Sequence, residues 1–180
     1  MKFILRSISS FILGFIPLYL FSQECPPIDT LSVSAVQNNW DFPTENQWNQ
    51  VEVMTWNLKE FPYSISTTNN VQEAIADILP DIIGFQEIND VAAFLELENS
   101  LPAYEFVSSG SGLALAARKD VVEILNQTTL FPSFGYEFAW RYPFKVDLKW
   151  GCGLRSAILS VIVVHLKAGG SSEDGNRRYA

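Results

Sequence analysis

The chain has 180 residues, 48% apolar and 18% charged, with 20 acidic against 12 basic side chains, two cysteines and one histidine. That length suits one globular domain; two cysteines exclude a disulfide-rich scaffold or a four-thiolate zinc site, and a single histidine excludes a centre built on two imidazoles. The net charge of −8 argues against a surface coated in basic residues for non-specific nucleic-acid binding, but leaves room for a site that meets phosphate through a metal.

Lys2 and Arg6 precede an apolar run, Phe11 to Phe21, that ends near the small residue Ser22. Gly14 and Pro17 break this run, and it is short for a bilayer span, so residues 1–22 read as a secretory signal rather than an anchor. A lipid anchor at Cys25 is the weaker alternative, because Ser22-Gln23-Glu24 lacks the small residues expected before a lipidated cysteine. The expected location is therefore secreted or periplasmic, with no stable membrane span after cleavage. Residues 23–49 hold Pro26, Pro27, Pro43 and no sustained apolar period, and read as an irregular lead-in. The folded domain is expected over 50–180.

Val51-Glu-Val-Met-Thr-Trp-Asn57 alternates apolar with polar, the period of a half-buried strand, and should stop before Phe61-Pro62. Val71, Ala74, Ile75, Ile78 and Leu79 follow helical spacing, with Asn70 and Glu73 placed as a capping box and Pro80 as the stop. Asp81 to Glu87 is a second strand. Strand, helix and strand in this order predict a right-handed crossover joining parallel strands, which puts Asn57 and Glu87 at the same edge of one sheet. A second helix should begin at Asn89 or Asp90. Short strands follow at Tyr104–Ser108, Gly112–Arg118, Val121–Gln127 and Phe144–Trp150. Ala157 to Val164 is the most apolar strand, as expected of a central one buried on both faces, and His165 follows it. The class is α/β or α+β with a mixed sheet.

Asn57, Glu87 and His165 are polar residues that end strands in apolar surroundings. Each also has a plain structural reading: a turn former, a solvated rim carboxylate and a structural histidine. Strand ends are nonetheless where sheets place ligands, because side chains converge there on a rigid base.

Five blocks in order, Met54-Thr-Trp-Asn57-Leu58, Ile83-Gly-Phe-Gln86-Glu87-Ile88, Gly112 to Arg118, Arg141-Tyr-Pro143 and Val163-Val-His165-Leu-Lys-Ala168, resemble the endonuclease/exonuclease/phosphatase superfamily. The resemblance implies a DNase I-like four-layer α/β sandwich and metal-dependent phosphoester hydrolysis at one edge of the sheets. It implies Glu87 as ligand of a divalent cation, with Asn57 beside it holding metal-bound water or phosphate. His165 is implied as the catalytic contact to the scissile phosphate. Mg²⁺ is the implied ion, with Mn²⁺ or Ca²⁺ as alternatives, and the chemistry fits a hard cation that takes one or two carboxylates and keeps its waters. Arg141 would orient a phosphate or be a surface arginine before a proline turn. Gln86 would support Glu87 or be a buried structural amide. Arg177 and Arg178 would be structural, phosphate-steering or on a solvated helix face.

Two later blocks of that superfamily, Gly-Asp-x-Asn and Ser-Asp-His, do not occur before Ala180. The expectation is an N-terminal fragment of the sandwich, incomplete at the C-terminus, inactive alone and exposing an apolar sheet face. The expected partner is a phosphoester, with DNA among the candidates. Sphingomyelinase-like or phosphatase activity and a non-catalytic exported binding module are the rival readings. Composition sets no oligomeric state and does not decide whether Cys25 and Cys152 pair.

Overall fold

The computed structural model describes residues 50–151, 153 and 156–179. The readings made for the signal, the lead-in, Cys25 and Cys152 lie outside the described residues. Among the described residues ten elements follow one another: β1 (Val53–Phe61), α1 (Thr67–Ile78), β2 (Ile82–Ile88), α2 (Val91–Ser100), β3 (Tyr104–Ser108), β4 (Leu113–Arg118), β5 (Val122–Thr129), β6 (Phe144–Trp150), β7 (Ala157–Val163) and α3 (Ser172–Tyr179). No helix among them is long and apolar enough to cross a membrane.

The strands form two sheets. The first has the order β1-β2-β4-β3 and the second β5-β6-β7. β1 and β2 are parallel, as the crossover through α1 requires, and every other pair is antiparallel. The class is thus mixed α/β with two sheets.

Alternation along the central strands builds two cores. Ile83 and Phe85 of β2 and Ala114 and Ala116 of β4 face the helices, where Val71, Ile75, Phe94 and Leu97 cover them. Ile82, Leu113, Leu115 and Ala117 face the other way, onto Phe144, Val146, Leu148 and Val163 of the second sheet. Both faces of β4 are therefore buried along its whole length. Phe94 meets Phe85 and Phe106 edge-on, with ring centroids 5.7 and 5.5 Å away, contacts worth about 0.5–1.5 kcal/mol each beyond area burial.

Three local features differ from the sequence reading. β1 runs on to Phe61 through left-handed Lys59 and Glu60, with its register against β2 shifting between Asn57 and Phe61. Helix α1 starts earlier, after Ser66, so Asn70 lies inside it; its end is as expected, at left-handed Leu79 before Pro80. β7 pairs with β6 alone among the described residues and exposes Ile158 and Ile162, so it is an edge strand here and not a central one. Its apolarity is used on one face only, where Leu159, Val161 and Val163 meet the inter-sheet core. Asp90, by contrast, caps α2 as read, accepting from the backbone of Ala92 and Ala93 at 2.8 and 3.1 Å.

At the far end of β2 from Glu87, a buried ion pair ties the elements together. Arg118 reaches Asp81 at 3.0 Å, Asp120 at 3.0 Å and the carbonyl of Leu79 at 3.0 Å. Asp81 in turn accepts from the backbone of Glu52 at 2.9 Å.

Candidate active site at the sheet edge

Simple alternation along β2 would send Glu87 to the helix-side core with Ile83 and Phe85. Glu87 instead has φ +65°, a left-handed conformation that resets the alternation, and Ile88 takes the core position. The carboxylate is thereby released to the sheet edge. β1 carries a matching irregularity at the same level, where left-handed Lys59 and Glu60 turn the backbone toward β2.

The two irregularities meet at the carboxylate. Asn57 donates from Nδ2 to Oε1 of Glu87 at 2.9 Å, and the Glu60 backbone N–H donates to Oε2 at 3.0 Å. Asn57 Oδ1 accepts from the Lys59 backbone at 2.8 Å, so both ends of its amide are assigned by their partners. Held this way, chiefly by Asn57, the Glu87 carboxyl lies below its ordinary value and is ionised at neutral pH.

The second sheet delivers the other half of the cluster. Gly84 of β2 lies under Val163 of β7, and two residues further His165 brings Nε2 to 3.5 Å from Oε1 of Glu87. Arg141, at the end of the β5–β6 connection, has one guanidinium nitrogen 3.0 Å from Nδ1 and 3.1 Å from Nε2 of His165. A nitrogen equidistant from both cannot lie in the imidazole plane without striking a ring carbon, so it rests against the ring face. Burial first, then Arg141, holds the His165 pKa below its ordinary value, with Glu87 pulling the other way. The imidazole is neutral at pH 7, with one N–H to donate.

Asn57, Glu87, His165 and Arg141 therefore come together from four separate segments. Gln86 points elsewhere: its amide nitrogen donates to Thr55 Oγ1 at 3.1 Å and to the Gly84 carbonyl at 3.3 Å, bracing β1 on β2. Arg178 closes the loop after His165 by donating to the carbonyls of Lys167 and Gly169 at 2.9 and 3.0 Å. Arg177 stacks over the ring of Tyr136, 3.8 Å from its centre. These two arginines thus brace backbone and loop.

No group of three or more His, Cys, Asp or Glu side chains suited to a metal occurs among the described residues. The donors present still fit a hard cation. Each Glu87 oxygen has one protein donor and keeps acceptor capacity, Asn57 Oδ1 does likewise, and the cluster is open enough for Mg²⁺ to retain its waters.

Sequence reasoning missed one contributor, the Glu60 N–H, which carries no side-chain signal at all.

The sequence model of the endonuclease/exonuclease/phosphatase family matches residues 54–174. No curated protein matches the chain. Among solved structures, a humanized D. rerio TDP2 carrying 14 mutations superposes with a TM-score of 0.60 at 17% identity, over 71% of this chain and 54% of that one. D. rerio TDP2 complexed with a single strand DNA product gives 0.57 at 16% identity, over 68% and 48%. The human Nocturnin catalytic domain with bound sulfate gives 0.49 at 17% identity, over 69% and 53%. The TDP2 likeness is one of fold, and the chain spans about half the length of the structures it matches.

Proposed function

We propose that this chain, which belongs to the endonuclease/exonuclease/phosphatase family, carries the cation- and phosphate-binding edge of an exported hydrolase that cleaves phosphodiesters. The observation that carries the proposal is the convergence on Glu87 of Asn57, the Glu60 N–H, His165 and, through His165, Arg141. An ionised carboxylate, an imidazole and a guanidinium within a few ångströms form a site with separate places for a cation and for an anion. The apolar run before Ser22 supports export.

Glu87 would hold the divalent ion, Mg²⁺ in the simplest case, with Asn57 fixing the carboxylate and offering its own oxygen. When bound, that ion supplies neutralisation of phosphoryl charge. Arg141 supplies a permanent positive charge to a non-bridging phosphoryl oxygen. His165, kept neutral, donates its N–H to the same group without surrendering a proton. As negative charge grows on the phosphoryl oxygens during attack, both donors strengthen their hold while the backbone behind them stays fixed.

Release from a generic phosphodiester by the full-length protein in Mg²⁺ tests this. Glu87→Ala and His165→Ala should each lower turnover by about 10²–10³-fold, the usual effect of removing one such stabilising group. Metal-dependent turnover that survives Glu87→Ala undiminished would overturn the assignment.

A further inference from the structure

Two connections border the cluster around Glu87, and both display apolar side chains to water. Residues 61–66 follow the Glu60 N–H that binds Glu87, and expose Tyr63 at 69% and Ile65 at 104%. Residues 130–140 lead into Arg141, and expose Phe131, Phe134, Tyr136 and Trp140, the last at 69%.

The second connection is braced and does not dangle. Trp140 donates its backbone N–H to the Gly135 carbonyl at 2.7 Å, and Ala139 and Trp140 are both left-handed. Its indole lies so close over Gly135 that a Cβ there would fall 2.5 Å from Cε3. Phe131 stacks on Phe138 and meets Phe134 edge-on, at centroid distances of 5.8 and 6.2 Å. Tyr136 is tied to α3 by a 2.5 Å hydrogen bond to Glu173 and by the Arg177 guanidinium over its ring. Trp140 is thus exposed to water while packed on its own connection, directly before Arg141.

We infer that this rim seats the candidate site on the surface of a zwitterionic phospholipid bilayer. Charge decides the partner. Neither segment, 61–66 or 130–140, contains a Lys or Arg, and their single charge is Glu137. Of the cations in contact with them, Lys59 and Arg177 lie over the rings of Tyr63 and Tyr136, and Arg141, which follows Trp140, turns its guanidinium to His165. A polyanionic strand needs cations along its path, and these segments provide none. Ile65 has no face on which a base could stack. A lipid interface asks for the opposite: aromatic rings at headgroup depth, aliphatic tips below, and few charges. The net charge of −8 selects zwitterionic over anionic lipid. The docking surface stands on exposure and charge; only its purpose, presenting a lipid phosphodiester to Glu87 and His165, rests on the hydrolase reading.

The test uses phosphatidylcholine vesicles with brominated acyl chains. Because the apolar run Phe11 to Phe21 could itself bring the chain to lipid, the readout must be specific to one position. Quenching of tryptophan emission should be present in the wild type and reduced in Trp140→Phe, which retains the ring. Trp140→Asp combined with Phe134→Asp should weaken vesicle partition about tenfold or more, as expected for losing the burial of large apolar side chains, with the circular dichroism unchanged. His165→Ala should partition like the wild type. Quenching equal in wild type and Trp140→Phe, or quenching by an oligothymidylate and not by vesicles, would overturn the inference. Hydrolysis of a soluble diester without vesicle docking would remove this inference alone, and docking without hydrolysis would leave this inference standing.

Discussion

Gly84 and Val163 touch across the two sheets so closely that a Cβ on the glycine would fall 3.3 Å from Cγ2 of the valine. Glu87 lies three residues beyond the first and His165 two beyond the second, so this contact sets how near the two can come. Gly84→Val should hold the sheets apart, costing about 1–3 kcal/mol through overpacking and widening the 3.5 Å separation of His165 from Glu87. Thermal unfolding reads the first effect, and the His165 ring resonances read the second. A fully stable variant with unshifted ring resonances would deny Gly84 this role.

Asn57 holds Glu87 ionised, so its replacement should be felt at the carboxylate. Asn57→Ala removes the largest cause of the lowered pKa, and should raise the Glu87 titration midpoint followed by carboxyl carbon resonances. The stability cost should be small, about 1 kcal/mol or less for an exposed hydrogen bond. Asn57→Asp should raise the Glu87 midpoint further, by placing a second carboxylate beside it.

His165 should make the fold sensitive to mild acid. Its folded pKa lies below the ordinary 6.5, chiefly through burial, so the unfolded chain takes up the proton first as pH falls. The stability is complete above 6.5 and is lost as pH descends from there through the folded value. Thermal midpoints measured across this window should fall more steeply for the wild type than for His165→Gln. Glu87, also depressed, adds a separate loss at lower pH, which begins below its ordinary 4.5.

Arg118 and Asp81 should matter to the fold and leave the candidate site alone. Their side chains are 9% and 5% exposed, so Arg118→Met would strand a buried carboxylate at a cost of about 3–5 kcal/mol. Adding Asp81→Leu should recover much of that loss. Mg²⁺ titration of the double variant, followed by calorimetry, should match the wild type, because the pair sits at the opposite end of β2 from Glu87.

The residues most legible in the sequence were those obeying a period. Val71, Ala74 and Ile75 located α1, the run before Glu87 located β2, and the crossover between them placed Asn57 and Glu87 at one edge. What escaped had no period. The left-handed residues Lys59, Glu60 and Glu87 break the alternation that sequence reading relies on, and Glu60 acts through its backbone, which every residue possesses. β7 misled because apolar content measures how much surface a strand could bury, while its position in a sheet depends on partners distant in sequence. Which rings of the stretch from Phe131 to Tyr142 face water was not legible, because aromatic residues usually signal core, and only the fold reveals that several of them are exposed.

The left-handed backbone at Glu87 has a consequence for how such a site is kept. A side chain in that region costs about 1–2 kcal/mol that glycine would not incur, so Glu87→Gly is expected to relax the strand while deleting its only carboxylate at the edge. Under the proposed cation-binding role of Glu87, selection for a sturdier protein and selection for a working one pull on this codon in opposite directions. A lineage released from the second pressure would drift toward glycine here, and the loss would leave the fold intact.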